Sequence, residues 1–167
     1  MGGQIAVVDS IRDGERAEGD AQGRGRVFVS RDQIEIAEIL AEVEQLAEDG
    51  YKAITLLGQN VNSYGLDKRS DEIRFPELLR RVGEIGRRSG KAFWVYFTSP
   101  PPRDMTDEVF EVIAEYEHLA NQIHLPMQSG DDKILFGLNR NYSTDQYRKV
   151  VESLRRILPE APLVTDI

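Results

Sequence analysis

The stretch Ala53-Ile54-Thr55-Leu56-Leu57-Gly58-Gln59-Asn60 indicates the fold of this chain. Its first five residues form an apolar run that is too short for a helix and ends at a glycine, which is typical of a buried parallel strand. An amphipathic helix is predicted before it, with apolar residues at three-and-four spacing from Ile36 to Ala47 and a stop at Gly50. A helix that leads into a buried strand is the repeating unit of α/β folds.

The same alternation continues to the end of the sequence. Three further strands are predicted near residues 93–97, 122–126 and 163–167. Helices are predicted over about Pro76 to Arg88, after Thr106, over Asp131 to Leu138, and after the capping box that begins at Ser143. We therefore expect parallel (βα) units with right-handed crossovers, and the four strands adjacent in one sheet in chain order. Periodicity alone does not choose between a barrel and an open doubly wound sheet.

Composition and charge indicate one soluble globular domain or a piece of a larger one. The chain has 167 residues and a net charge of −8, which argues against a global basic field for nucleic acid and leaves a local basic patch open. Residues 1–30 hold 6 of the 14 glycines and are predicted to be a weakly ordered leader, in which residues 5–8 and 27–29 could each add a strand. Residues 31–167 are predicted to be the folded core. No apolar run is long enough to cross a bilayer and no signal peptide is evident, so we expect a cytoplasmic protein with no membrane partner.

The sequence contains no cysteine. This excludes a disulfide framework, a cysteine nucleophile, a cysteine zinc site and an iron–sulfur cluster held by the chain's own thiolates. His118 and His124 are the only histidines, so a histidine-rich metal site is excluded as well. We predict no metal ligands in this chain.

Parallel α/β sheets bind ligands at the carboxyl ends of their strands, so the loops after the four strands form the candidate site. After the first strand, Gln59 and Asn60 place two amides there, which suit a ribose, a base edge or an amino-acid backbone. After the second strand, Thr98 and Ser99 offer hydroxyls to the same space. The alternative is that these side chains only turn or cap the chain through bonds to the backbone.

The loop after the third strand carries the most unusual residues. His124 lies in that strand and is either a hydrogen-bonded core residue or a ligand contact. Gln128 and Ser129 precede a short helix and could present backbone N–H groups to a carboxylate or phosphate, unless the acidic residues that follow cap the helix. Arg140 could anchor a similar anion or lie free on the surface. Asp166, at the last strand end, could hold a ribose or a base.

Sequence motifs at these loops resemble a known family. The segments that carry the resemblance are residues 45–52, residues 54–65, Phe97-Thr98-Ser99-Pro100, residues 103–107, Ile123-His124-Leu125-Pro126-Met127-Gln128-Ser129-Gly130, residues 139–143 and Thr165-Asp166-Ile167. They closely resemble the radical S-adenosylmethionine (SAM) methylthiotransferases, especially the MiaB-type tRNA 2-methylthio-N6-dimethylallyladenosine synthases. The resemblance covers about residues 34–167 with its motifs in family order, which is the central barrel region only.

The resemblance implies a partial radical-SAM TIM-like barrel, in an enzyme that adds a methylthio group to an N6-modified adenosine with tRNA as its partner. It implies that SAM lies across the strand ends beside a 4Fe–4S cluster. By position in the family, Gln59, Asn60, Thr98 and Ser99 would line the cofactor pocket. Together with Gln128, Ser129 and Arg140 they are the predicted cofactor-binding residues. Of these, Gln128 and Ser129 would lie near the amino-acid or ribose end of the cofactor.

The sequence departs from the family pattern where the cluster would bind. The family places a CxxxCxxC motif upstream of the helix that we predict from about Ile34, and this chain has its glycine-rich leader there. The family's usual His-Pro in the second strand-end loop is Pro101-Pro102 here. We therefore expect a truncated or rewritten barrel core that holds no cluster, supplies no catalytic residue and is inactive alone.

Two other functions stay open. One is a non-catalytic barrel fragment or engineered scaffold that could self-associate. Four parallel strands do not close a barrel, so the outer strands would expose open edges unless the leader or a second copy covers them. The other is an unrelated (βα) enzyme that uses Asp104, His124 and Asp166 as acid–base groups. Turnover by such an enzyme would be indifferent to iron and to SAM.

Overall fold

The fold alternates strands and helices along most of the described chain. The structure is a computed structural model that describes residues 36–58, 60–66, 73–98 and 100–167, and the backbone alone of residues 6–12. The strands are β1 (Ala6–Arg12), β2 (Tyr51–Leu57), β3 (Trp94–Phe97), β4 (Ile123–His124) and β5 (Leu163–Val164). The α-helices are α1 (Ile36–Glu48), α2 (Phe75–Ser89), α3 (Asp107–Glu115), α4 (Asp132–Gly137) and α5 (Thr144–Ile157), and short 3₁₀ helices lie at Val61–Ser63 and Pro102–Asp104.

The parallel strand pairs follow the predicted pattern. β2 and β3 run parallel with Ile54 opposite Val95, and α2 connects them. β4 and β5 run parallel with Ile123 opposite Leu163, and α4 and α5 connect them. A helix between two parallel neighbours is the crossover connection that a parallel sheet requires. The predicted α/β class is therefore confirmed.

The prediction of one continuous sheet is wrong for the described residues. They form two ladders, one in the order β1-β2-β3 and the other of β4 with β5. An isolated parallel bridge between Val95 and Leu119 joins them. In this bridge Val95 N–H donates to the His118 carbonyl at 2.7 Å and Ala120 N–H donates to the Val95 carbonyl at 2.9 Å. No closed barrel is seen in these parts of the chain.

Proline explains why the second ladder is short. Pro126 follows β4 closely and Pro162 precedes β5 directly, and proline has no N–H to donate to a ladder. Each strand is therefore two residues long, where the apolar pattern predicted about five. The Pro162 carbonyl still accepts from Ile123 N–H at 2.9 Å, which extends the pairing by one bond.

The leader contributes a strand that the sequence did not require. β1 pairs antiparallel with β2, from Ala6 opposite Leu57 to Arg12 opposite Tyr51. Residues 6–12 are therefore a strand of the kind that the apolar patch at residues 5–8 could add, and the weak order of residues 1–30 stays a prediction. β1 covers the β2 edge that would otherwise expose unpaired backbone groups. The remainder of residues 1–30, including the apolar patch at 27–29, lies outside the described residues, and the division at residue 30 stays a prediction.

Helices cover one face of the β2–β3 ladder. Ile54, Leu56 and Val95 point to that face and are buried, whereas Leu57 and Trp94, which alternate with them, are 40% and 51% exposed. The helices contribute a continuous apolar core, which includes Ile39, Val43, Leu78, Val82, Val109, Val112 and Leu154. Among the described residues, no helix is long and apolar enough to cross a membrane.

Candidate functional site

A cavity of about 650 Å³ lies at the carboxyl ends of the strands. The segments that follow β2, β3, β4 and β5 form it together with the loop between α4 and α5. Its lining residues are Asn60, Pro100, Pro101, Pro102, Arg103, His124, Pro126, Gln128, Asn139, Arg140, Asn141, Tyr142 and Asp166. The volume is in the range of small-molecule sites, and the lining carries amide, guanidinium, imidazole and carboxylate groups.

One wall of the cavity joins the loops after β2 and β3. The Asn62 side chain donates to the Pro101 carbonyl at 3.1 Å, and the Ser63 hydroxyl donates to Asp104 Oδ2 at 2.5 Å. Asn62 and Ser63 are buried, so these bonds are shielded from water. Arg103 Nε donates to the same Asp104 oxygen at 3.2 Å. Asp104 thereby positions Arg103, which lines the cavity, and is not a lining residue itself.

The opposite wall joins the loops after β4 and β5. His124 Nε2 lies 3.0 Å from Asp166 Oδ2, and both side chains line the cavity. Gln128 N–H donates to the Asp166 carbonyl at 2.9 Å, and Met127 N–H donates to Thr165 Oγ1 at 2.9 Å. These bonds extend the contact between the two chain segments beyond the short β4–β5 ladder.

Gln128 and Arg140 meet on this second wall. Arg140 Nη2 donates to Gln128 Oε1 at 2.9 Å. Gln128 has a φ of +65° and Asn139 has a φ of +54°, which are left-handed conformations that residues other than glycine seldom adopt. Both unusual conformations therefore occur at residues that line the cavity.

Two tyrosines anchor the second wall to the core. The Tyr142 hydroxyl donates to the carbonyls of Met127 at 2.9 Å and Pro126 at 3.2 Å, and burial raises the pKa of that hydroxyl. The Tyr147 hydroxyl donates to the Leu125 carbonyl at 2.9 Å. A raised pKa keeps Tyr142 protonated at neutral pH, so it remains a donor to the loop that carries Gln128.

Three of the seven predicted cofactor-binding residues line the cavity, namely Asn60, Gln128 and Arg140. Thr98 lies at the end of β3, where its N–H donates to the Leu56 carbonyl at 3.2 Å, and its buried hydroxyl oxygen has no hydrogen-bond partner among the described residues. Ser129 is buried outside the lining and accepts from Asp131 N–H at 3.1 Å. The assignments of Thr98 and Ser129 stay predictions. Gln59 and Ser99 lie outside the described residues.

The start of α4 does not offer its N–H groups to an anion. Asp131 Oδ1 accepts from Lys133 N–H at 2.7 Å and from Ile134 N–H at 3.3 Å, so the acidic residue caps the helix. This outcome is the alternative that the sequence had left open. Gln128 contributes to the cavity through its side chain and its own conformation instead.

Sequence reasoning missed several lining residues. Arg103, Asn139, Asn141 and Tyr142 were not singled out as site residues, although Arg103 follows a predicted strand and could have been found by the strand-end rule. Asn139 and Asn141 come from the loop between two helices, and no strand-end signal marks that loop. His124 and Asp166, which the acid–base hypothesis named, lie together, whereas Asp104 is engaged elsewhere.

The charges of the lining suit a ligand with both an anionic and a cationic group. Arg103 and Arg140 supply positive charge and Asp166 supplies negative charge, while the amides can bind hydroxyl groups or base edges. Within the described residues, no group of three or more His, Cys, Asp or Glu side chains could hold a metal ion. The cavity therefore favours an organic, polar ligand.

Residues 20–167 match the family model of the radical SAM superfamily. The chain belongs to this superfamily. Among curated proteins, the radical SAM chain is 47% identical over 146 residues to a tRNA-2-methylthio-N(6)-dimethylallyladenosine synthase of Phocaeicola vulgatus, which covers 87% of this chain and 30% of that protein. It is 46% identical over 129 residues to the synthase of Clostridium botulinum strain Hall, covering 77% and 28%.

The Streptomyces avermitilis synthase is 45% identical over 130 residues, covering 78% of the radical SAM chain and 25% of the synthase. The chain thus spans about 30% or less of the length of these relatives. The resemblance to the MiaB-type methylthiotransferases is confirmed, for a part of their length.

Radical SAM membership implies SAM and an iron–sulfur cluster. The residues of this chain fit SAM but do not fit the cluster. The mixed charges and amides of the cavity fit a polar cofactor with a carboxylate, an ammonium group and a ribose. A 4Fe–4S cluster of the usual kind takes thiolate ligands, and this radical SAM chain has no cysteine. The donor set of the chain therefore does not fit the cluster.

Proposed function

We propose that this chain is the SAM-binding part of a tRNA methylthiotransferase barrel, with its cofactor site in the cavity at the strand ends. The observation that carries the proposal is the meeting of Asn60, Gln128 and Arg140 in one polar cavity. The family resemblance predicts Asn60 and Gln128 as cofactor-binding residues, and the sequence also offers Arg140 as an anchor for an anion. Two short parallel ladders with helices between their strands support a partial TIM-like barrel that further strands would complete.

The residues on the two walls of the cavity suit different parts of the cofactor. Asn60 belongs to the wall after β2 and β3, where its amide suits the nucleoside. Gln128 and Arg140 on the other wall suit the carboxylate of the amino-acid end. Asp166 lies beside His124 and supplies the negative charge that an ammonium group requires.

The relatives are named for a reaction on tRNA, and we propose that this chain belongs to a protein with that activity. SAM, when bound, would supply the methyl group and the radical of the family chemistry. Residues of this chain would bind and orient SAM, and this sequence has no thiolate that could hold a cluster. The chain alone is therefore inactive in methylthiolation.

A non-catalytic, self-associating module is the second candidate. The observation that favours it is the uncovered face of the strands, where Trp94 is 51% exposed and Val164 is 41% exposed. A second copy that covers this face would bury both side chains. Light scattering after size exclusion should then give the mass of a dimer, and a soluble quencher should reach Trp94 fluorescence less well in the dimer than in a monomer. A monomer at high concentration contradicts the module hypothesis.

Titration with SAM tests the first candidate. We expect binding that is no tighter than high micromolar, because single hydrogen bonds contribute about 0.5–1.5 kcal/mol each against an association cost of about 4–15 kcal/mol. Asn60→Ala should weaken it about two- to tenfold, as the loss of one such bond does. Calorimetry or ligand-observed NMR measures both values.

The matched control is Asn121→Ala, since Asn121 is an exposed residue just before β4, at the end of that strand away from the cavity. It should leave the affinity unchanged. Tight binding that neither Asn60→Ala nor Gln128→Ala affects would place the cofactor pocket elsewhere and contradict the proposed site.

A further inference from the structure

Gln128 is held in a conformation that its residue type disfavours. Its φ of +65° places a glutamine in the left-handed region, where a Cβ atom crowds the backbone. Such conformations persist only when the surrounding contacts over-determine them, and they concentrate at binding sites. Gln128 lines the cavity, so its unusual backbone directs a polar side chain to the cavity wall.

Two hydrogen bonds hold this arrangement. Gln128 N–H donates to the Asp166 carbonyl at 2.9 Å, which ties the backbone to the segment after β5. Arg140 Nη2 donates to Gln128 Oε1 at 2.9 Å, which ties the side chain to the loop between α4 and α5. The backbone and the side chain of one residue are thus held by two different segments of the chain.

The bond from Arg140 determines which end of the Gln128 amide is free. A guanidinium group only donates hydrogen bonds, so the amide oxygen must face Arg140. The amide NH₂ group then faces away from Arg140 and keeps its donors available. Within the described residues, no acceptor is bound to that nitrogen and no carboxylate is paired with Arg140.

We infer that Arg140 is a positioning residue that fixes the Gln128 amide, so that the cavity selects a ligand with an acceptor oxygen at this point. The inference rests on the proposed function, in which the cavity binds SAM. The acceptor oxygen is that of a carboxylate or of a ribose hydroxyl. The unpaired positive charge of Arg140 nearby favours the carboxylate.

Gln128→Glu tests the selection directly. The new carboxylate still accepts from Arg140, but its other oxygen replaces two donors with an acceptor and repels an anionic group. S-adenosylhomocysteine carries the amino-acid carboxylate and 5′-methylthioadenosine lacks it. If the carboxylate binds here, the variant should lose about tenfold in affinity for the first compound and less than about threefold for the second.

The other results have defined meanings. An equal tenfold loss for both nucleosides assigns the acceptor to the ribose, which both compounds share, and keeps the inference. An unchanged affinity for both overturns it. The matched control is Gln122→Glu, the same chemical change at an exposed residue before β4, and it should change neither affinity.

Arg140→Met tests the positioning role without any ligand. In the wild-type chain we expect Gln128 side-chain amide shifts that differ from those of exposed glutamines and depend little on temperature, because Arg140 holds the amide oxygen. In Arg140→Met these signals should move toward the averaged values of exposed glutamines, and Arg140→Lys should restore part of the difference because an ammonium group also donates. Identical Gln128 signals in the wild type and Arg140→Met would overturn the positioning role.

This second measurement separates the inference from the proposed function. If neither nucleoside binds the wild-type chain, the proposed function fails, and the NMR signals still decide whether Arg140 orients Gln128. If the nucleosides bind and the signals do not respond to Arg140→Met, the proposed function stands and the positioning role fails.

Discussion

Anaerobic reconstitution with ferrous iron and sulfide is expected to leave this chain without a 4Fe–4S cluster. The chain has no cysteine, and the two histidines cannot supply the ligands that four iron atoms require. The two histidines also have different partners, since His118 bonds to the Lys91 carbonyl and His124 bonds to Asp166. Iron and sulfide analysis after desalting, together with the visible absorption spectrum, measures the result.

A relative that carries the CxxxCxxC motif is the control for this experiment and should load under the same conditions. Near-stoichiometric cluster iron in the present chain would contradict the prediction and would require a donor set other than thiolates. Addition of SAM should not change the outcome, since the cofactor would bring only its amino and carboxylate groups.

Gly65→Ala is expected to destabilise the chain far more than Gly50→Ala. Both glycines have positive φ values, +75° and +87°, so each substitution costs the strain of a left-handed alanine, about 1 kcal/mol. At Gly65 an added Cβ would also overlap the backbone carbonyl of Ile73, whereas at Gly50 it would meet no atom within 4 Å. Overlap with backbone adds about 1–3 kcal/mol, so we expect a total loss of about 2–4 kcal/mol for Gly65→Ala.

Urea unfolding followed by circular dichroism measures the two free energies of unfolding. The pair is matched because both changes add one methyl group at a positive φ, and only the neighbouring atoms differ. Equal losses for the two variants would show that the backbone around Ile73 moves away without cost. Because Gly65 closes the loop that carries Asn60, Gly65→Ala should also weaken SAM binding, which Gly50→Ala should not.

Local sequence signals predicted the individual elements well. The helix predicted from Ile36 to Ala47 is α1, and Gly50 follows it with a positive φ as expected. The capping box at Ser143 is complete, since Ser143 Oγ accepts from Gln146 N–H at 3.2 Å and Ser143 N–H donates to Gln146 Oε1 at 2.8 Å. Such features depend on residues three or four apart, so the sequence contains all the information they need.

The arrangement of the strands was less predictable. Thr106 occupies the N-cap of α3 as predicted, but its side chain makes no capping hydrogen bond. The sequence therefore predicted the start of the helix but not the contact of its first residue. The antiparallel pairing of β1 joins residues that lie about forty or more positions apart, and a short apolar patch does not specify its partner.

The candidate site could be located from the sequence but its contacts could not. The strand-end rule selected Asn60 and Gln128, and both line the cavity. The bonds between His124 and Asp166 and between Arg140 and Gln128 connect residues 42 and 12 positions apart, and they depend on loop conformations. The left-handed backbone of Gln128 has no sequence signal, because glutamine is not a residue that prefers it.

The isolated bridge at Val95 has a consequence for how the chain opens. The cavity lies across this joint, and the described hydrogen bonds of its lining residues stay within one wall or the other. Amide hydrogen exchange should therefore reveal two cooperative units, one around β2 and β3 and the other around β4 and β5, with different opening free energies. A ligand that contacts both walls binds only when both units are closed. It would merge their opening into one event and slow exchange at Ala120, whose N–H forms part of the bridge.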